Sequence, residues 1–563
     1  MARQFIAILG CISVLALGSV NCEDASANPE VTFSLGKVKG SLLESRLGKK
    51  IYAFRGLRYA EGPIGPLRFK LAVPAKPWTN VFDASEEGPS CPRQGGQNKS
   101  DDCLRLNVYS TKLGPETKRP VIVFFHPGAF VGFSGQSYVF GPQYLMDEDI
   151  VLVTVNFRLG AIGFTATGDA LSPGNLGLKD QVEALRWIQK NIAPFGGDHD
   201  SVTIVGYSAG AWSTALHMLS PMSKGLFHRA VSMSGSPTKP APMPYEQTEI
   251  AKKQATLVGC PNDSTERILS CMEKVPHEKM VSTFGQFMEW HDNPIRVWGP
   301  VVEPDIPGVE RFIVGQPDEL IRQGKFHKVP YMAGTTRDEF ASLARLPVVE
   351  ARKGNNSIFD DLNENWDDIA PIIFSYERNT TKSKQISKEL RDFYFKGEKI
   401  GLANWEKLGQ LFSDSIVKFP VNRMVNLVAA HSDQPVYYYH FVYQGRRSYY
   451  VWTDTRKPMG VGHHDELMYL FFMKVFFPYL EPDAPEIPTV KHLTAMWASF
   501  AKTGNPIPRD NPLFRGIKWD RFTPENKKYL EINGTLTMKR NVNGARMEAF
   551  DRIFPLAPLK SKH

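Results

Sequence analysis

The pentapeptide Gly206–Gly210, with the sequence Gly-Tyr-Ser-Ala-Gly, constrains the fold of this chain more than any other feature. An apolar, β-branched run at 202–205 precedes it, and a helix-compatible run at 211–219 follows it. A serine between two such elements predicts a sharp strand-to-helix turn, in which the glycines leave room for close backbone packing. Such a turn lifts the Ser208 hydroxyl above a sheet, at the positive end of the helix. The alternative interpretation is a tight structural turn with an incidental serine.

Other segments predict an α/β fold around this turn. Continuous apolar runs at 121–125 and 150–155 are typical of strands buried on both faces, and Asp180–Asn191 has the apolar spacing of an amphipathic helix. Alternating strands and helices predict a mostly parallel central sheet flanked by helices. The irregular segment 240–330 and the polar, partly helical segment 350–410 are expected to be excursions that cap the sheet.

The N-terminus predicts a signal peptide over residues 1–22, followed by one domain over residues 23–563. Arg3 supplies a positive charge, and the apolar stretch Phe5–Gly18 is shorter than the ~20 residues that span a bilayer. An uncleaved membrane anchor is the alternative interpretation. Because no second apolar stretch of spanning length follows, we expect a secreted, extracellular protein without a stable membrane anchor.

The composition predicts a soluble globular protein rather than a disordered or nucleic-acid-binding one. Of the 563 residues, 42% are apolar and 22% are charged. The net charge of +8 at pH 7 is mild for this length and is not gathered into a dense basic tract. We therefore expect no nucleic-acid partner. The sequence leaves the oligomeric state open.

Four cysteines outside the predicted signal allow three disulfide pairings. Two local loops, Cys91–Cys103 and Cys260–Cys271, are the simplest choice. Metal binding is the competing interpretation, but no C-x-x-C motif or histidine cluster accompanies these cysteines. Five Asn-x-Ser/Thr sequons agree with a secretory route. The predicted glycosylation sites are Asn98, Asn262, Asn355, Asn379 and Asn533.

A loop upstream of the serine has the composition of an oxyanion hole. The apolar run 121–125 ends in His-Pro-Gly-Ala-Phe, a small-residue loop whose backbone N–H groups can face a developing negative charge. Pro127 has no N–H group and cannot donate. The predicted donors are therefore Gly128 and Ala129, with Ala209, the residue after the serine, as the third.

Seven ordered blocks of sequence make the chain resemble the type-B carboxylesterases, an α/β-hydrolase family that includes cholinesterases and insect carboxylesterases. The blocks are FRGLRYA (54–60), DDCLRLNVY (101–109), HPGAF (126–130), NFRLGAIGF (156–164), GNLGLKDQVEALRWIQKNIAPFGGD (174–198), VTIVGYSAGA (202–211) and SGSP (234–237). The resemblance continues to about residue 555. It implies an α/β-hydrolase fold and hydrolysis of carboxylic esters through an acyl-enzyme intermediate, without a metal or an organic cofactor.

The resemblance also implies the catalytic residues, with Ser208 as the nucleophile. In YMAGTTRDEFAS it places Glu339 in the triad, and Asp338 is the less favoured choice. In GVGHHDEL it assigns His463 as the base, and the adjacent His464 is the alternative.

Four further features bear on the site and its substrate. Tyr207 stands where most relatives carry Glu, and the Cys91–Cys103 segment is too short to resemble the loop that supplies a cation-stacking Trp in cholinesterases. Both departures argue against choline esters and predict a preference for uncharged esters. Ala241 lies where many relatives place Trp against the acyl group, which predicts an enlarged acyl pocket. Ser234 is similar to a serine that hydrogen-bonds the triad acid.

Two other functions are available within the same family. A non-catalytic adhesion or binding member would lack the serine, the histidine or the oxyanion glycines, and all of these are present here. A hormone esterase of the juvenile hormone type usually carries Gln at the position of Tyr207. The favoured interpretation is a secreted serine carboxylesterase that acts on a small ester substrate.

Overall fold

The computed structural model describes residues 28–559, so the predicted signal peptide lies outside the described residues. The strands are β1 (Glu30–Phe33), β2 (Gly36–Lys39), β3 (Ser41–Glu44), β4 (Lys50–Arg58), β5 (Phe82–Asp83), β6 (Arg105–Ser110), β7 (Arg119–Phe125), β8 (Val151–Val155), β9 (Gly197–Tyr207), β10 (Arg229–Met233), β11 (Tyr331–Thr336), β12 (Val436–Phe441), β13 (Lys528–Asn533) and β14 (Thr535–Arg540).

The helices lie between and after these strands. They are α1 (Gly160–Phe164), α2 (Leu176–Asn191), α3 (Ala209–Leu219), α4 (Thr248–Leu257), α5 (Thr265–Met272), α6 (His277–Ser282), α7 (Pro317–Arg322), α8 (Arg345–Arg352), α9 (Ser357–Glu364), α10 (Trp366–Phe374), α11 (Thr381–Phe395), α12 (Trp405–Ser413), α13 (Phe419–His431), α14 (Ile487–Thr503) and α15 (Gly544–Ile553). Among residues 28–559, no helix combines the length and the apolar character needed to cross a membrane.

An 11-stranded sheet organises the fold, in the order β14-β13-β12-β11-β10-β9-β7-β8-β6-β4-β3. The pairs from β13 to β8 are parallel, and antiparallel strands flank them on both sides. This confirms the predicted mostly parallel sheet. A separate sheet of three short strands, in the order β1-β2-β5, packs beside it.

Two apolar cores cover the two faces of the large sheet. In β7, Val121 and Val123 belong to one core, whereas Ile122 and Phe124 belong to the other. Successive side chains of a strand point to opposite faces, so a continuous apolar run is what a doubly covered sheet requires. The prediction that 121–125 and 150–155 are strands buried on both faces is therefore confirmed.

The segment 350–410 is helical, as expected, and α8 to α12 form a third apolar core with α15. The segment 240–330 contains α4 to α7 with irregular chain between them. The cysteines form the two predicted local disulfides, Cys91–Cys103 and Cys260–Cys271, so their sulfurs are not available as metal ligands.

The topology brings several loops together at one edge of the sheet. The strands β7, β9, β10 and β11 are adjacent and parallel. The loops that follow them therefore leave from the same edge, which is where open α/β sheets place their ligand sites.

Candidate active site

Ser208 occupies the sharp turn between β9 and α3. Its backbone has φ 55° and ψ −115°, a conformation that a residue with a side chain rarely adopts. Two hydrogen bonds hold it there: the Ser208 N–H donates to Met233 O at 2.9 Å, and the Trp212 N–H donates to Ser208 O at 3.0 Å. The surrounding structure thus stabilises a strained serine at the end of a strand, as the sequence motif predicts.

The two glycines of the motif are required by close backbone contacts. A Cβ atom on Gly206 would clash with the carbonyl oxygen of Gly210, and one on Gly210 would clash with the carbonyl oxygen of Phe125. These contacts bring the start of α3 against the end of β7. They place the turn beside the loop that follows β7.

His463 and Glu339 form a buried hydrogen-bonded pair. His463 Nδ1 donates to Glu339 Oε2 at 2.7 Å, and the His463 backbone N–H donates to Glu339 O at 2.9 Å. The other carboxylate oxygen, Glu339 Oε1, accepts from the Thr336 N–H at 2.6 Å. The Phe340 ring stacks on the imidazole, with 4.2 Å between the ring centroids. The imidazole orientation is therefore fixed by two backbone contacts, one carboxylate and one aromatic ring.

The second ring nitrogen of His463 is not engaged by the Glu339 pair. His463 and Ser208 line one cavity, and His463 Nε2 is buried without a hydrogen-bond partner among the described residues. With Nδ1 bound to a carboxylate, the neutral ring carries its proton there and Nε2 is free to accept one. This arrangement suits a base that takes the proton of the Ser208 hydroxyl.

The two alternative candidates have other surroundings. Asp338 Oδ2 accepts from the Val461 N–H at 2.7 Å and pairs with Arg337. His464 lines the cavity, but neither of its ring nitrogens has a partner among residues 28–559. Burial, with His463 next to it, holds the pKa of His464 well below its usual value. The structure thus joins Glu339 to His463, and leaves Asp338 and His464 outside that pair.

Three backbone N–H groups border the same cavity as the serine. Gly128, Ala129 and Ala209 all line it, and none of their N–H groups donates to another described residue. Positive φ angles at Gly128 (119°) and Ala129 (53°) shape the loop after β7. His126 anchors this loop, because its Nδ1 lies 2.8 Å from Pro127 O. Burial lowers the pKa of His126 to about 3, so its ring is neutral at physiological pH.

The cavity has an empty volume of about 930 Å³, including the part that opens to solvent. Its lining is mainly apolar and contains no Asp or Glu among the described residues. The side chains and backbone that line it belong to Gly128, Ala129, Phe130, Ser208, Ala209, Trp212, Ser234, Gly235, Lys239, Pro240, Ile295, Arg296, Phe340, Ser375, Ser415, Ile416, Val417, His463 and His464.

Ala241, one of the two predicted pocket residues, does not line this cavity. Ala241 lies in an adjoining cavity, while Lys239 and Pro240 contact the one that holds Ser208. A hydrogen bond from Thr238 Oγ1 to Pro420 O, at 2.8 Å, holds the chain just before this segment. The residues that follow Thr238 then lie along the wall between the two cavities. Ala241 therefore lies next to the cavity of Ser208 but does not line it, and an enlarged acyl pocket stays a prediction.

Tyr207 is fully buried beneath the site rather than exposed in it. Its hydroxyl oxygen accepts from the His464 N–H at 2.7 Å, and its ring packs 5.0 Å from that of His463. As the last residue of β9, it points away from the side on which Ser208 emerges. The prediction that Tyr207 lines the substrate pocket is wrong, and a preference for uncharged esters cannot be argued from its side chain.

Ser234 also has a different partner from the predicted one. Its hydroxyl donates to Glu466 Oε1 at 3.1 Å, and not to Glu339. Both oxygens of Glu339 are already taken, by His463 and by the Thr336 N–H. Burial, with Glu339 nearby, raises the pKa of Glu466 to about 8, so this carboxyl group is largely protonated at neutral pH. Ser234 is therefore bound to a second acidic residue and not to the proposed triad acid.

Lys239 and Arg296 are cavity-lining residues that sequence reasoning missed. Lys239 follows the SGSP block and stands among prolines. A charged residue at such a position is the only local feature of the sequence that could have pointed to it. No local motif marks Arg296. The five asparagines of the predicted glycosylation sites are all exposed, and their modification stays a prediction.

A serine at a strand-to-helix turn, an acid–histidine pair and oxyanion donors at the carboxyl edge of a parallel sheet define the class of α/β-hydrolases. Residues 27–550 match the Carboxylesterase family. The chain is 34% identical to Esterase E4 of Myzus persicae, over 89% of this chain and 91% of that protein. It is 34% identical to Juvenile hormone esterase of Tribolium castaneum, over 91% and 89% of the two chains.

The fold is similar to a solved structure as well. The crystal structure of Juvenile Hormone Esterase from Manduca sexta, with OTFP covalently attached, superposes with a TM-score of 0.81 at 27% identity. The likeness covers 94% of this chain and 100% of that one. The protein belongs to the carboxylesterase family and is a carboxylic ester hydrolase.

Proposed function

We propose that the protein is a secreted serine carboxylesterase in which Ser208, His463 and Glu339 act as nucleophile, base and acid. The observation that carries this proposal is the 2.7 Å hydrogen bond from His463 Nδ1 to Glu339, with Nε2 free in the cavity that Ser208 lines. The two disulfides support a secretory route.

The proposed reaction has two halves. His463 Nε2 takes the Ser208 proton as the serine oxygen attacks the ester carbonyl, and Glu339 stabilises the imidazolium that forms. The N–H groups of Gly128, Ala129 and Ala209 hold the oxyanion of the tetrahedral intermediate, and one such donor typically contributes about 3 kcal/mol. His463 then protonates the departing alcohol, and water hydrolyses the acyl-enzyme by the same steps.

The cavity lining argues against choline esters. The described lining contains two cationic side chains and no carboxylate, so a quaternary ammonium group meets repulsion and no compensating anion. We expect kcat/KM for acetylthiocholine to be lower than for a neutral aryl ester of similar size. The opposite order would contradict this part of the proposal.

The decisive experiment compares the purified secreted protein with its Ser208→Ala variant on neutral p-nitrophenyl and naphthyl esters. We expect hydrolysis by the parent and none by the variant, and labelling of the parent alone by a phosphonate probe. Ser415→Ala is a matched control, because Ser415 lines the same cavity outside the proposed triad. A folded parent that neither hydrolyses these esters nor reacts with the probe would favour the non-catalytic binding function.

Hydrolysis of juvenile hormone is a second candidate. It is favoured by two findings, the relative from Tribolium castaneum and the solved structure from Manduca sexta. Turnover of juvenile hormone with a kcat/KM above that of simple aryl esters would support it. Turnover far below that of aryl esters would leave the general carboxylesterase function.

A further inference from the structure

Two cationic side chains, Lys239 and Arg296, line the cavity that contains Ser208 and His463. They come from distant parts of the sequence, Lys239 from the chain after β10 and Arg296 from the irregular segment between α6 and α7. Both also border the adjoining cavity. They therefore stand at the wall between the two cavities, on the rim of the space available to a substrate.

Neither cation has an acidic partner among residues 28–559. No carboxylate oxygen lies within 4.0 Å of Lys239 or Arg296, and neither side chain takes part in the hydrogen bonds of the described chain. The two acidic residues of the adjoining cavity are engaged elsewhere. Glu249 pairs with Lys252 at 2.9 Å, and Glu289 pairs with Arg378 at 2.6 Å.

The surroundings of the two cations compensate their charge only in part. The Arg296 guanidinium lies over the Trp212 ring, 4.4 Å from its centroid, a cation–π contact. Burial lowers the pKa of Arg296 to about 10, and burial together with Arg296 lowers the pKa of Lys239 well below its usual value. A partly buried pair of like charges destabilises the protein unless an anion accompanies it.

We propose that Lys239 and Arg296 form a subsite for an anionic group of the substrate, so that the preferred esters carry a carboxylate at the end of an apolar chain. This inference rests on the proposed esterase function and names the substrate class of the same site. A carboxylate fits the planar guanidinium fork and forms charge-assisted hydrogen bonds with both cations. Apolar side chains of Phe130, Trp212 and Ile416 line the same cavity and can cover the chain that joins this anion to the ester.

The first test compares two acyl chains of equal length, in mono-4-nitrophenyl adipate and 4-nitrophenyl hexanoate. They differ in the terminal carboxylate, and spontaneous hydrolysis is subtracted with Ser208→Ala. Because a hydrogen bond to a charged group is worth more than a neutral one, we expect kcat/KM for the adipate to exceed that for the hexanoate by about tenfold or more. A second pair, 4-carboxyphenyl butyrate and phenyl butyrate, reports whether the protein binds an anion on the alcohol side of the ester instead.

Charge-removing variants assign the preference to the two residues. Lys239→Met and Arg296→Gln should each lower the ratio of kcat/KM for the anionic ester to kcat/KM for the neutral ester by about tenfold. Arg296→Lys should keep more of the ratio than Arg296→Gln, because it keeps the charge but loses the planar fork that a carboxylate fits. Lys253→Met is the matched control, since Lys253 lines the adjoining cavity and not that of Ser208.

The outcomes separate this inference from the esterase function. Hydrolysis of hexanoate with no preference for either anionic ester, or a preference that survives both charge-removing variants, would overturn the subsite alone. No hydrolysis of any ester and no phosphonate labelling of Ser208 would overturn the esterase function and the subsite with it. Thermal unfolding of each variant identifies any that is not folded. The ratios measured for Arg296→Lys and Arg296→Gln then decide whether the positive charge at this position binds the anionic ester.

Discussion

Glu339 holds His463 by two separate hydrogen bonds, one from the ring and one from the backbone. His463 Nδ1 donates to Glu339 Oε2 at 2.7 Å, and the His463 N–H donates to Glu339 O at 2.9 Å. The loop after β11 and the loop after β12 are thereby tied together beside the cavity that Ser208 lines. The backbone hydrogen bond does not depend on the Glu339 side chain. A mutation can therefore remove the negative charge of Glu339 and keep the contact that positions His463.

Glu339→Gln should keep the fold and lose most of the activity. The amide keeps the shape of the side chain but no longer stabilises an imidazolium, so we expect kcat to fall by about 10²–10⁴-fold. The measurement is the hydrolysis of a neutral nitrophenyl ester. Asp338→Asn is the matched control, because Asp338 binds the Val461 N–H rather than the histidine. Equal losses in the two variants would contradict the assignment of Glu339.

The two adjacent histidines should behave differently. His463→Ala removes the proposed base and should lower kcat by about 10³-fold or more. His464 has φ 81°, which Asn tolerates, and its ring nitrogens make no hydrogen bonds to described residues. His464→Asn should therefore retain ester hydrolysis and phosphonate labelling. A complete loss in folded His464→Asn with activity in His463→Ala would reverse the assignment.

Local sequence could predict the serine and its turn, because each requirement there involves residues close in sequence. The strand, the two glycines and the helix of Gly206–Gly210 lie next to one another, and the backbone contacts they need are specific. Glu339 and His463 are 124 residues apart. No periodicity joins them, and in the sequence only the resemblance to a family pairs them.

The residues that sequence reasoning misplaced share one cause. The positions of Tyr207 and Ala241 in the sequence blocks predict pocket side chains, but the direction of a side chain depends on the path of the chain. Ser234 meets Glu466 because the turn after His463 brings that residue under the site. Lys239 and Arg296 become neighbours only through the fold, and a lone charge in a loop carries no such signal.

Gly206→Ala should destabilise the protein strongly. An added Cβ atom would clash with the backbone of Gly210, and a rigid backbone cannot yield as a flexible side chain does. We expect the free energy of unfolding to fall by about 3 kcal/mol or more, measured by chemical denaturation. Gly285→Ala is the control, because its added Cβ atom would have no neighbour within 4 Å. Equal stability of the two variants would show that the turn has room to adapt.

Glu466 should make stability depend on pH in the direction opposite to that of an ion-paired carboxylate. Burial raises the pKa of Glu466 to about 8 from an ordinary value of 4.5, so the folded protein binds a proton that the unfolded chain releases. Its contribution to stability is fully present below pH 4.5 and is lost as the pH rises toward 8. Above that range the ionised carboxylate is buried near Glu339, which adds repulsion.

Glu466→Gln replaces this group by a neutral side chain that can still accept the hydrogen bond of Ser234. The variant should be relatively more stable at pH 9 than at pH 5, when each is compared with the parent by chemical denaturation at the two pH values. Glu364→Gln, at an exposed position on α9, should show no such difference between the two pH values. A stability difference between Glu466→Gln and the parent that is the same at pH 5 and pH 9 would mean that Glu466 is ionised in the folded protein throughout this range.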